Sequence, residues 1–174
     1  ENMLKALSQF MVMVTSSNSR FDKFRRNETG GTLTADELAG YALFNSKCAS
    51  CHATDLMTDD SFRNNGLAVN PKVNDVGRYK VTELASDYYK FKVQSLRNVE
   101  VSAPYMHDGR FKSIEQCLNH YTNPIGNLVN LDPLIPQAGI LLSESQKSDI
   151  ISFLGTLTDT VFTKDMRFAD PNFH

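Results

Sequence analysis

Cys48-Ala49-Ser50-Cys51-His52 is the run of this chain best suited to chemistry. Two thiols three positions apart on one helical turn can form thioether bonds to the two vinyl groups of a haem. The adjacent histidine then reaches the iron from the same side. The spacing therefore points to one covalently bound haem c, held by Cys48 and Cys51, with His52 on the iron. His52 is expected to be neutral, bonding iron through one nitrogen while the other donates to a backbone carbonyl. Two other chemistries fit less well. A zinc site needs about four ligands, yet no second Cys pair exists and His107 and His120 are scattered. A thioredoxin-like pair needs a βαβ setting, and the segment before Cys48 reads as helix. Haem is attached covalently on the outer side of the cytoplasmic membrane, so an exported, periplasmic protein is expected.

The elements that must position this motif come from a chain of 174 residues, enough for one ordinary domain. Hydrophobic residues make up 41% and charged residues 22%, as in globular proteins generally, and the net charge of −2 argues against a nucleic-acid partner. No stretch approaches the ~20 apolar residues of a bilayer span. The three cysteines cannot build a disulfide framework. A start at Glu1, with no basic segment and cleavage site, is expected of a processed or truncated product.

Periodicity predicts a mostly helical fold with long irregular loops. Met3, Leu4, Leu7, Phe10, Met11 and Val14 recur on one face of a helix over 2–14. The polar run from Thr15 to Arg20 ends it, and a charged, glycine-bearing linker follows. Thr34 with Glu37 forms a capping box that opens a second helix leading to Cys48. Residues 54–80 are turn-prone, through Asn64-Asn65-Gly66, Asn70-Pro71 and Asn74-Asp75. Short extended pieces are expected between Lys90 and Val101, without a large sheet. Ser113 with Gln116 opens a third helix, on which Ile114, Cys117, Leu118 and Tyr121 share a face. His120 falls about 100° round from that face and reads as solvated. Ser143 with Gln146 opens the last helix, which is expected to bury Ile150, Ile151, Phe153, Leu154 and Leu157.

The run Phe91-Lys92-Val93-Gln94-Ser95-Leu96-Arg97-Asn98-Val99, followed by Ala103-Pro104-Tyr105-Met106-His107-Asp108-Gly109-Arg110-Phe111, resembles the bacterial di-haem cytochrome c peroxidase family, MauG-like proteins included. Segments 6–24 and 142–159 fit the same family. The resemblance implies an all-α, cytochrome c-like domain around one haem, spanning 33–174. It also implies that 1–32 is the helix and linker ending an upstream haem domain. In this family the C-terminal haem accepts electrons and the N-terminal haem reduces hydrogen peroxide. The chain carries only one haem motif and no Trp, in line with an electron-relaying part that is inactive alone.

The resemblance also bears on the second axial ligand. Peroxidases of this family carry a Met at the place that is Tyr121 here, whereas MauG-like members carry a ligating Tyr. Thioether sulfur favours ferrous iron, and tyrosine oxygen favours ferric iron and lowers the potential. Tyr121 ranks first and Met106 second; a core aromatic role for Tyr121 is the plain alternative, which leaves Met106 or a five-coordinate iron. His107, within the family motif, is a candidate for the haem edge or for proton handling. Arg97 is a candidate partner for a haem propionate, with an ordinary ion pair as its alternative, and Cys117 reads as a small buried hydrophobe. The resemblance further implies calcium at the interface with the upstream domain, held partly by backbone oxygens of Ser102 and Pro104. Expected partners are that upstream peroxidatic domain, a small donor protein such as a cytochrome c, and hydrogen peroxide as substrate. Helix 2–14 could pair two copies into a homodimer. A mono-haem electron shuttle and a MauG-like di-haem oxidase are the competing functions.

Overall fold

The structure is a computed structural model that describes residues 2–170. Its helices are α1 (Asn2–Met13), α2 (Arg20–Arg25), α3 (Ala35–Lys47), α4 (Tyr79–Thr82), α5 (Ile114–Thr122), α6 (Glu144–Gly155) and α7 (Thr160–Thr163). The expectation of a helix-rich fold with no large sheet holds. Its one sheet among the described residues pairs β1 (Phe62–Arg63) with β2 (Phe91–Lys92), antiparallel. No helix among those residues is long and apolar enough to cross a membrane.

Local hydrogen bonding explains where the main helices begin. The hydroxyls of Thr34, Ser113 and Ser143 accept the N–H of Glu37, Gln116 and Gln146, and each of those side chains reaches back to the cap backbone. The same box at Ser19 and Asp22 opens α2, a helix the sequence reading treated as linker. There the reciprocating residue is Asp rather than Glu or Gln, a weaker signal in sequence. Phe21 on that turn enters the core, only 2% exposed.

The core forms where α3 crosses α6. Phe153 is fully buried, and its ring meets Phe21 at 5.2 Å, Tyr41 at 5.1 Å and Phe44 at 5.1 Å. Burying one such side chain stabilises by ~1.5–3 kcal/mol. The crossing depends on Gly40: a Cβ there would stand 1.9 Å from the Asp149 carbonyl oxygen. Ile150, Leu154 and Leu157 are buried as expected, while Ile151 is only partly so.

Two buried carboxylates tie distant segments to this core. Asp159 caps α7 through the N–H groups of Val161 and Phe162, and also accepts those of Ser17 and Asn18. Asp22 takes the Arg97 guanidinium in a two-pronged ion pair at 2.7 and 2.9 Å. By contrast α1 buries nothing. Met3, Leu4, Leu7, Phe10 and Met11 stay exposed, although the Phe10 ring meets Phe168 edge-on at 5.9 Å.

Candidate haem site

Helix α3 delivers the Cys-Cys-His motif at its C-terminal end. The Cys48 N–H bonds the Phe44 carbonyl, and the chain then makes one further turn, with the His52 N–H on the Cys48 carbonyl at 3.0 Å. Cys48 and Cys51 are both free thiols. Burial pushes Cys48 up to about 11, with Cys51 adding to it, and burial raises Cys51 too. Both are therefore neutral thiols rather than thiolates at ordinary pH.

The loop after His52 returns to hold its ring. Nδ1 lies 3.2 Å from the Met57 carbonyl oxygen. With Nδ1–H donating there, Nε2 keeps its lone pair for a metal. Burial pushes His52 below the usual imidazole range, and the Met57 and Gln94 carbonyls only partly offset it, so the ring is neutral. The loop is clasped from the segment 93–97. The Ser95 hydroxyl donates to the Leu56 carbonyl at 2.6 Å, Thr58 donates to Val93 at 2.6 Å, and Arg97 Nε donates to Asp55 at 2.7 Å. Burial works to raise Asp22, yet hydrogen bonds from Arg97 and Ser19 hold its carboxyl below the usual range, so the clasp is charged. Three of the five N–H directions of Arg97 are spent on Asp22 and Asp55.

A second group of side chains gathers around Asn65. Its Nδ2 lies 3.3 Å from the Tyr121 Oη and 3.5 Å from the Met106 Sδ, so both candidate ligands share one amide. Burial pushes Tyr121 above the usual phenol range while the Asn65 bond works the other way. Met106 itself sits at φ +68 in the loop between Tyr105 and Phe111, which bridge to each other. His107 lies outside this group, exposed, its ring stacked on Phe91 at 3.7 Å. The expectation of a solvated His120 fails. Its Nε2 stands 3.0 Å from the Asn65 carbonyl oxygen, because the loop carrying Asn65 folds over the C-terminal end of α5.

Asn65 is the residue that the sequence reading missed. Asn64-Asn65-Gly66 reads from sequence only as a turn, and its bracing explains its place. Asn64 is 2% exposed; its Nδ2 donates to the Val129 carbonyl and its Oδ1 accepts the Gly66 N–H. Gly66 has φ +74 and its carbonyl accepts the Asn127 N–H. The residues fit haem c: two free thiols on one turn, and a histidine whose other nitrogen is already satisfied. No protein-family model matches the chain. It is 35% identical over 156 residues to the methylamine utilization protein MauG of Methylorubrum extorquens, covering 87% of this chain and 42% of that protein. It is 31% identical over 173 residues to the cytochrome c peroxidase Ccp of Escherichia coli, covering 96% of this chain and 34% of that protein. Among solved structures, a MauG-like protein associated with microbial copper homeostasis superposes with a TM-score of 0.74 and 28% identity, over 90% of this chain and 56% of that one.

Over most of its length the chain is similar to the di-haem cytochrome c peroxidases and MauG proteins.

It spans less than half the length of the two curated relatives named. The cofactor of this family is haem c. Within such a domain His52 Nε2 and the two thiols are the groups suited to hold it, and the 93–97 clasp keeps the histidine oriented.

Proposed function

We propose that this chain is the electron-receiving, C-terminal haem domain of a periplasmic di-haem cytochrome c peroxidase. The observation that carries the reading is the His52 ring: Nδ1 on the Met57 carbonyl and Nε2 left over, beside two free thiols. When bound, haem c supplies one-electron redox chemistry. The chain's residues hold it through Cys48 and Cys51, orient His52, and offer Tyr121 or Met106 as second ligand, with Tyr121 first. The two spare N–H directions of Arg97 suit a haem propionate, and exposed His107 suits the haem edge. The whole protein would convert H2O2, two protons and two electrons into two waters. The electrons would come from a small donor such as a cytochrome c, and peroxide would react in an upstream haem domain that segment 1–32 adjoins. Calcium between the domains, near the Ser102 and Pro104 backbone oxygens, belongs to the same reading. So does a cover for the exposed apolar face of α1, from that domain or from a second copy.

A second reading, a MauG-like oxidase, is favoured by one observation: the Tyr121 oxygen, not only a Met sulfur, lies at the Asn65 amide. The protein made from its whole reading frame decides between them. Haem should remain bound after denaturing electrophoresis, and reduced cytochrome c should be oxidised in proportion to added peroxide. A protein with no covalent haem would overturn both readings. Covalent haem with no peroxide-driven donor oxidation would overturn the peroxidase reading alone. For the ligand, Tyr121→Phe should change the resting optical spectrum, and an unchanged spectrum removes Tyr121 from the iron.

A further inference from the structure

We propose that Asn65 selects the second axial ligand of the haem iron, favouring the Tyr121 oxygen over the Met106 sulfur. The inference rests on the reading that this domain holds haem through His52 with Tyr121 as ligand, and it adds the residue that decides between two candidates.

The geometry is that of one donor facing two acceptors. Asn65 Nδ2 carries two N–H bonds, and the Tyr121 Oη and Met106 Sδ lie at 3.3 and 3.5 Å from it. The amide cannot simply turn over, because its Oδ1 accepts the Leu67 N–H at 3.2 Å and so directs Nδ2 toward the two ligands. Nor can the backbone follow a moving ligand easily. The Asn65 carbonyl is held by His120 at 3.0 Å, Asn64 by Val129 at 2.6 Å, and Asn64 also takes the Asp132 N–H at 3.0 Å. The donor is therefore a stationary reference, and the two ligands compete in front of it.

Chemistry breaks the tie. A phenol oxygen bound to iron carries negative charge, and an N–H donated to a charged oxygen is stronger than one donated to a neutral acceptor. A thioether sulfur is neutral and a weak acceptor. The same amide thus favours the oxygen by more than it favours the sulfur. Met106 remains a ready substitute, since its loop already brings Sδ within reach of the same group. Removing the donor should lower the ratio of Tyr-bound to Met-bound iron about tenfold.

The test uses the haem-loaded protein from the whole reading frame, with Asn65→Asp, which keeps the shape and removes the N–H donors, and Asn65→Leu, which removes all polarity. Covalent haem and circular dichroism confirm that each variant folds. The expected result is a new far-red sulfur-to-iron band, a weaker tyrosinate signature and a higher reduction potential in both variants. Adding Met106→Leu to Asn65→Leu should abolish the new band. If wild type shows tyrosinate ligation and both Asn65 variants keep its spectrum and potential, the selection role is wrong while the Tyr121 reading stands. If Tyr121→Phe leaves the wild-type spectrum unchanged, both fall together.

Discussion

Replacing Gly66 with Ala probes the turn that carries Asn65, and its cost can be worked from the structure. Gly66 has φ +74, a left-handed backbone that costs an L-residue with a Cβ ~1–2 kcal/mol. The added Cβ would lie 2.0 Å from Ile125 Cγ2 and 2.9 Å from Leu131 Cδ1. Ile125 is 8% exposed, and its Cγ2 branches directly from Cβ, so that methyl cannot swing away without moving the buried side chain. Overpacking of this kind typically costs ~1–3 kcal/mol. The sum is ~2–5 kcal/mol, set against a stability that for ordinary domains is ~5–15 kcal/mol. The variant should fold but unfold at clearly lower urea, and its haem spectrum should change because Asn65 is displaced with the turn. Gly126→Ala is the control. Its Cβ would meet only the Ala68 Cβ at 3.6 Å, so a change within ~0.5 kcal/mol is expected. Urea unfolding followed by circular dichroism measures both. A Gly66→Ala protein within ~0.5 kcal/mol of wild type would refute the reasoning, since neither the strain nor the clash would then be real.

Two further outcomes follow from the ion pairs. Arg97→Leu leaves the buried Asp22 carboxylate unpaired and frees the Asp55 carbonyl, so a loss of ~3–5 kcal/mol is expected together with an altered reduction potential as His52 loses its clasp. Arg97→Lys should recover only part of each, and an unchanged potential in Arg97→Leu would separate the clasp from the histidine. Asp108 is held at about 2 by hydrogen bonds from Arg110, then Asn70, and Asp59 at about 2 by Ser61, then Arg63. Folded values below the unfolded ~3.9 mean that this stability is complete above that pH and is lost as pH falls toward 2. Allowing for solvent screening, each contributes on the order of 1 kcal/mol. Unfolding free energies measured across that range should fall more steeply in wild type than in an Asp59→Asn, Asp108→Asn double variant; parallel curves would count against the assignment.

What the amino-acid order determined by itself is local. The Cys48, Cys51 and His52 spacing works within one turn, and the capping boxes at Thr34, Ser113 and Ser143 close over three residues, so both could be read before any fold was known. The same box at Ser19 was legible too, once Asp22 is accepted as its partner. What only the tertiary structure decided is which distant groups meet. Asn65 finds Met106 41 positions on and Tyr121 56 positions on, and Arg97 finds Asp22 across 75. His120 was assigned to solvent from helical period alone, and a loop carbonyl 55 positions away took it. Period reports which way a side chain points on its own helix but not what another segment brings to it. A candidate haem ligand can be read from a motif for that reason, while the amide that faces Tyr121 and Met106 emerges only when the chain has closed.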